Sequence, residues 1–418
     1  MKAEKRKLLY VGHPYHLKTH SVDFLKEALS SVYEIDYLAV ADNCSLPEEY
    51  LHAFKGRAYD VCLCFQIMPS IEMLRKYVTF EHGVFFPMAD YYYGMLAVGT
   101  PIWEEYREFR IFSFSKKVHD ELVANGYDST YIQYFPTPVE VEDWGDPQSV
   151  FFWQRITHLN VYTVLEALKS FPLRHLRLHI SIDPGEKRVL LPSDFQKGFG
   201  VSYSTWYDTR EEMLRDMDRY AIYFAPRKVE GIGLSYLEAM ARGRCVIANR
   251  ETTHDEYITD GETGFLYDLN SPDKTVNLTV EDVKRVQRNA QRYVKEGYAN
   301  WVKVLAALPE KFELPVAADP SKAKPCPKMP VTDPVLLLKD PTQYMRSGRG
   351  TPAKPSLVKR AFRKLARALR CNDPEWTCLA SHKIAGIPLV QKYVRRDQRK
   401  EKTCVLGVPI FTAEITDA

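Results

Sequence analysis

The chain has 418 residues, 45% of them hydrophobic, which is enough for two sizeable cores. Its formal net charge of +3 is too small to argue for nucleic acid as a partner, and no apolar run approaches the roughly 18 residues that a membrane-spanning helix needs. The opening MKAEKRKLLYVG passes from a few charges straight into a short strand, without the apolar region of a signal peptide, so a cytoplasmic protein is expected. Cysteines at positions 44, 62, 64, 245, 326, 371, 378 and 404 show neither CxxC nor paired Cys/His spacing, so reduced thiols are expected and a zinc site or disulfide framework is not.

Strand-like and helix-like runs alternate from the start: a strand at 7–12, a helix at 21–29, and strands at 33–40, 60–65, 78–80 and 110–115. Such βα alternation predicts a parallel sheet, which ends near residues 131–135. PTPVEVEDWGDP from Pro136 has the proline and acid content of a linker. A second βα series follows, with strands at 150–154, 176–182, 221–225 and 245–248 and helices at 161–168, 211–219 and around Glu238. The helical stretch 280–308, carrying Trp301, closes this unit. The expected organisation is a first domain at 1–140, a second at 146–308, a Pro-rich linker at 309–355 and a basic extension at 356–418.

Within that extension, SLVKRAFRKLARALR at 356–370 places Leu357, Val358, Phe362, Leu365 and Leu369 on one helical face. Lys359, Arg360, Arg363, Lys364, Arg367 and Arg370 fill the rest without an acid, which suits an anionic membrane surface; the alternative is docking on the body of the protein. IAGIPLV at Ile384 and VLGVPIF at Val405 repeat one short strand-like pattern, which predicts a small β-hairpin appendage.

The stretch richest in chemistry is EGIGLSYLEAMARGRCVIANRETTHDE, from Glu230. AIYFAPR before it is a buried-strand pattern, so Gly231 and Gly233 sit where a strand turns into a helix and the backbone approaches a ligand. Free amides at a helix start favour an anion such as phosphate. Glu238 follows Leu234 by about one turn and points to the same mouth, where hydroxyls of a ribose or sugar find an acceptor. The bland alternative is a Rossmann-type loop with packing glycines and two solvated glutamates; Asp255 and Glu256 read as surface charges.

The Glu-x7-Glu pair of Glu230 and Glu238, followed by LEAMARGRCVIA and EYITDGETGFLYD, resembles the donor site of retaining glycosyltransferases of family 4, which act in surface-polysaccharide assembly in bacteria. The resemblance is close over residues 150–270 and weak in the first domain. It implies an α/β protein of GT-B fold, two Rossmann-like doubly wound domains facing a cleft, with the basic C-terminal extension added. It further implies that Glu230 contacts the donor sugar, that Gly231, Ile232, Gly233, Leu234 and Ser235 present amides to sugar and pyrophosphate, and that Glu238 grips the ribose.

VFFWQR ends at Arg155, where the family places an arginine on the donor pyrophosphate and, five positions later, a lysine; here that position is Asn160, an amide without charge. Either Lys18 or another cation compensates, or the donor is gripped differently. Arg155 suits leaving-group stabilisation, because its guanidinium is permanently charged. TFEHGVFF places His82 and Gly83 after a strand and resembles the His-Gly pair that approaches the donor sugar; a histidine satisfied by local backbone is the alternative. In GHPYHLKTHS, Gly12 permits close backbone approach, and His13, His16, Lys18, Thr19 and His20 are placed to face a phosphate or an acceptor sugar, with His13, Lys18 and Thr19 the acceptor-side candidates. A metal at His13, His16 and His20 lacks an acidic or cysteine partner, and no metal or other cofactor is expected. Asp216 and Asp218 match a DxD, but inside a helical run they read as a solvated helix face. The aromatic cluster FFPMADYYYGM from Phe85 reads as core or as a stacking surface for an acceptor.

The function expected is transfer of a sugar from a nucleotide-diphosphate donor to a saccharide acceptor, lipid-linked if the basic helix holds the protein at the cytoplasmic face of a membrane. The alternatives are a non-catalytic sugar-nucleotide-binding scaffold of a glycan-assembly complex and a sugar-nucleotide epimerase.

Overall fold

The computed structural model describes residues 5–40, 46, 48–91, 101–183, 185–192, 199–205 and 207–323, together with the backbone of strands within 376–414. The basic stretch 356–370 and the Pro-rich stretch 324–355 lie outside the described residues.

Two six-stranded sheets, parallel at every pairing, form the body. The first has the order β2-β1-β3-β4-β5-β6, from strands Arg6–Gly12 (β1), Tyr33–Ala39 (β2), Ala58–Phe65 (β3), Thr79–Phe86 (β4), Phe109–Ser113 (β5) and Ser129–Tyr131 (β6). The second has the order β12-β11-β10-β7-β8-β9. Its strands are Asp146–Gln154 (β7), His175–Ile180 (β8), Gly200–Ser204 (β9), Tyr220–Phe224 (β10), Cys245–Asn249 (β11) and Phe265–Tyr267 (β12). Each sheet reverses its winding once, between β1 and β3 in the first and between β7 and β10 in the second, and at such switch points a doubly wound sheet opens a crevice for a ligand.

The alternation along β3 shows why these segments are strands. Val61, Leu63 and Phe65 face one hydrophobic cluster while Cys62 and Cys64 face another, so both sides of the sheet are buried, as a parallel sheet requires. The first cluster runs on from the first sheet to Phe151, Tyr223 and Val246 of the second and joins the two halves. Cys62, Cys64 and Cys245 are free thiols buried in these cores.

Two contacts stand out among those that hold the halves together. The helix Val280–Phe312 opens with a capping box between Thr279 and Asp282 and runs back to the first domain. There Trp301, 2% exposed, packs edge-on against Phe24 and Tyr134 with centroids 5.8 and 5.5 Å away, and Phe312 packs on Phe112 at 5.5 Å. The second contact is Glu256. Its carboxylate accepts from the backbone N–H of Lys116 at 2.7 Å and from the hydroxyls of Ser115 (3.0 Å), Thr252 (2.6 Å) and Tyr131 (3.1 Å). It therefore caps, from the second domain, the first-domain helix Lys116–Ala124, where a negative charge meets the positive end of the helix dipole. Expected as a surface charge, Glu256 is an interdomain clasp.

Several boundaries differ from the sequence reading. The last helix continues through Pro309 to Phe312, and residues 315–323 then run along the first domain, where the Ala317 N–H donates to Asp128 at 2.8 Å. The linker expected from residue 309 therefore begins later than its composition suggested. Beyond it, Trp376–Ile384, Ile387–Arg395, Lys400–Val405 and Val408–Glu414 form a four-stranded antiparallel sheet, and the two copies of the repeated motif straddle its first and last hairpin connections.

Trp301→Ala is expected to cost about 3–5 kcal/mol of stability, read as a lower denaturation midpoint for the whole body; an unchanged midpoint would show that the helix does not tie the domains.

Candidate active site

The C-terminal ends of the two sheets face each other, and the central loops of each reach across. From the first sheet, the segment after β4 carries Met88 and Asp90 to the loop after β10; a Cβ built on Gly231 would lie 2.9 Å from Asp90 Oδ1 and 3.0 Å from the Met88 sulfur. Gly231 is thus glycine because another domain's side chains occupy the place of its own. Gly233 has φ of 87°, the left-handed region open to glycine, and starts the helix Leu234–Ala241 without a side-chain cap. The first amides of that helix face the crevice unclaimed by a capping side chain, as an anion site requires.

Glu230 lies at the centre. It is 9% exposed, and its Oε1 has no hydrogen-bond partner among the described residues. Burial raises its pKa to about 7; Arg227 and Arg155 oppose that shift, and Asp90 and Asp183 add to it. Asp90 is also shifted upward, by burial against the pull of Arg227, and its Oδ1 is likewise shielded and without a hydrogen-bond partner among the described residues.

Around Glu230, Asp183 holds two guanidinium groups at once. Its Oδ1 accepts from Arg155 Nε at 3.1 Å and Nη2 at 2.9 Å, and its Oδ2 accepts from Arg227 Nη2 at 2.6 Å. The arginines stand at the ends of β7 and β10, on either side of the switch point of the second sheet. Arg227 Nη1 also lies 3.6 Å from Asp90 Oδ2, an ion pair between the domains. On the helix, Glu238 pairs with Arg210, and its pKa is raised by burial despite that partner.

Of the residues singled out in the sequence, the structure thus gathers Glu230, Gly231, Ile232, Gly233, Leu234, Ser235, Glu238 and Arg155 about one crevice. Others it places elsewhere. His82 and Gly83 are in the middle of β4, paired beside Val61 and Cys62, with His82 four residues short of the strand end and so about 13 Å from it at the usual rise of a strand. The glycine there admits the ring of Phe109, 2.7 Å from where a Cβ would be. The strand was read as ending at Phe80; it continues because Gly83 to Phe86 are all buried. Asn160 spends its amide on its own helix, accepting from the N–H of Tyr162 at 2.9 Å and donating to Thr157 O at 2.9 Å. Gly12 makes room for Tyr37, whose hydroxyl would lie 2.6 Å from a Cβ there, so packing alone already requires the glycine.

Among the acceptor-side candidates of the sequence, His13 caps the helix Pro14–Thr19 by accepting from Tyr15 N–H at 3.1 Å. Thr19 donates back to Tyr15 O at 2.9 Å, and Lys18 is exposed over the Tyr15 ring. His16 reaches Gln66 Oε1 at 2.8 Å, and burial lowers its pKa to about 4. Gln66, at the end of β3, has φ of 65°, a conformation that strains a non-glycine residue and is met at ligand clefts. Asp216 and Asp218 are ion-paired to Arg177 (2.7 Å) and Arg242 on a helix face. Phe85 and Phe86 of the aromatic cluster are fully buried core. Among the described residues no group of three His, Cys, Asp or Glu could hold a metal ion, and no helix is long and apolar enough to cross a membrane.

Sequence reasoning missed Asp90, Asp183, Arg227 and Gln66. Arg227 ends the strand pattern AIYFAPR and so carried a signal of position; Asp90 and Asp183 carried none, since the facing of the two sheets brings Asp90 to Glu230 and the pairing of β8 with β7 inside the second sheet brings Asp183.

Residues 145–299 match the family model described as glycosyl transferases group 1. The chain is a glycosyltransferase. The match spans the second sheet, from β7 through the Glu230 loop and into the final helix. Among solved structures, sucrose-phosphate synthase from Thermosynechococcus elongatus aligns with 74% of this chain and 98% of its own at 11% identity and a TM-score of 0.51, a likeness of fold that agrees with the GT-B plan. The Anabaena protein HepE in complex with UDP and glucose (13% identity, 73% and 100% covered, TM-score 0.48) and the lipopolysaccharide outer core galactosyltransferase WaaB (14%, 71% and 99%, 0.44) align less closely. Among curated proteins no sequence matches this one.

Because the folded enzyme holds Glu230 with a raised pKa, its stability is reduced as pH rises from the ordinary carboxylate range through about 7. Glu230→Gln is therefore expected to be more stable than the parent at pH 8, by up to about 3 kcal/mol, with the gain vanishing below pH 4.5; equal melting at pH 8 would mean that the pKa of Glu230 is not raised by the fold.

Proposed function

We propose that the enzyme is a retaining, family 4-like glycosyltransferase that moves a sugar from a nucleoside diphosphate donor to a saccharide acceptor in surface-glycan assembly. The observation that carries this reading is the buried, unpaired Glu230 carboxylate set between two arginines and the uncapped start of the helix Leu234–Ala241. A diphosphate fits the arginines and the amides of Leu234 and Ser235; the sugar hydroxyls satisfy the stranded oxygen of Glu230, whose burial without a partner costs about 1–3 kcal/mol; the ribose shares Glu238 with Arg210.

In the reaction the bond from the anomeric carbon to the diphosphate oxygen breaks while the acceptor oxygen bonds to the same face of that carbon, and the acceptor proton passes to the leaving diphosphate. Arg155 and the helix amides stabilise the charge that develops on the leaving group. No protein nucleophile takes part. The acceptor enters from the first domain, past His13, Lys18 and Thr19, and the basic stretch 356–370 favours a lipid-linked acceptor at an anionic membrane surface.

Incubation with a panel of UDP-, GDP-, dTDP- and CMP-sugars, with and without envelope lipid extract, is expected to show nucleotide release from one donor that the acceptor accelerates and EDTA leaves unchanged. Arg155→Ala is expected to lower that rate by about 10²–10³, and the product is expected to keep the donor's anomeric configuration. Release from no donor, or an Arg155→Ala rate equal to that of the parent, would contradict the reading.

A further inference from the structure

The family pattern sets a second cation five residues after Arg155, and here that residue is Asn160, which caps its own helix. The crevice nevertheless holds a second cation. Arg227 arrives from the neighbouring strand end, and one carboxylate, Asp183, lies between it and Arg155, one oxygen turned to each. We propose that Arg227 is the second diphosphate-binding cation of this enzyme and that Asp183 occupies the diphosphate position between the two arginines until the donor arrives.

The inference rests on the donor-site reading above and adds to it the groups that grip the phosphates. Two planar guanidinium forks offered to the two oxygens of one anion form the arrangement that recognises phosphate, and arginine provides it without losing its charge on burial. A donor diphosphate carries more charge than one carboxylate and displaces it. Asp183 is free to yield, because it is about a quarter exposed while its backbone stays anchored by its N–H to Arg155 O at 2.9 Å. Asp90, 3.6 Å from Arg227 across the interface, and Glu230 then hold Arg227 from the sugar side and keep the fork aimed at the crevice. Lys18 is not needed: it is exposed on the first domain, above Tyr15.

Calorimetric titration of the full chain with UDP, GDP, the matching monophosphates UMP and GMP, and inorganic pyrophosphate tests this, comparing the parent with Arg227→Gln, Arg227→Lys and Asp183→Asn, each checked for an unchanged melting profile. Arg227→Gln is expected to weaken the nucleoside diphosphate and pyrophosphate by ten-fold or more while leaving the nucleoside monophosphate little changed, and Arg227→Lys to recover part of the loss. Asp183→Asn, which removes the competing charge but keeps the shape, is expected to tighten both ligands several-fold. Parent-like diphosphate binding by Arg227→Gln would overturn the role of Arg227, and weaker binding by Asp183→Asn would overturn the placeholder. A parent protein that binds none of these ligands would instead overturn the donor-site reading itself.

Discussion

One carboxylate fixes the geometry on which the site depends. Glu256 lies in the second domain and serves the N-terminus of a first-domain helix, taking from that domain a backbone N–H and the hydroxyls of Ser115 and Tyr131. Hydrogen bonds to a charged acceptor are each worth roughly 1.5–3 kcal/mol, and together with the apolar seam around Trp301 they set the strand ends of the two sheets face to face. Only in that arrangement does Asp90 reach Arg227, and only then does the residue after Glu230 have to be glycine. The site is therefore a property of the two domains together, although nearly all of its residues come from the second.

The charge balance of the crevice explains why it waits for a ligand. Two guanidinium groups face three carboxylates, Asp183, Asp90 and Glu230, and Glu230 is buried with one oxygen that has no hydrogen bond among the described residues. Burial holds that carboxylate closer to neutrality against the pull of the two arginines, which is the origin of its raised pKa and of the cost it imposes on the fold. A ligand that brings hydroxyl donors to Glu230 and a diphosphate to the arginines settles both accounts at once. Strain at Gln66 and the buried His16 beside it mark the opposite wall, at the switch point of the first sheet, as a second place where the fold gives up stability around a crevice.

What the sequence made legible follows from how local each signal was. The βα alternation, the turn at Gly231 and Gly233, and the helix carrying Glu238 are encoded within a few residues, and each is found close to where it was read. The final helix was legible as the element that closes the second series, and the structure carries it on to the first domain. Contacts between distant segments were not. Glu256 looked like a surface charge because nothing near it in sequence says that Lys116 will present its N–H. His82 looked like a strand end because Gly83 interrupts the pattern, whereas the glycine makes room for Phe109 inside the strand. Asn160 looked like a weakened phosphate ligand, to be compensated by Lys18 or another cation or by a different grip on the donor; the cation we propose, Arg227, comes from a neighbouring strand that the second sheet's winding sets beside Arg155.

The most direct measurement is a crystal structure of the enzyme with the nucleoside diphosphate it binds. The diphosphate is expected between the guanidinium of Arg155 and the amides of Leu234 and Ser235, with the ribose hydroxyls on Glu238. A diphosphate bound outside this crevice, or a ribose that does not touch Glu238, would contradict the assignment of the site.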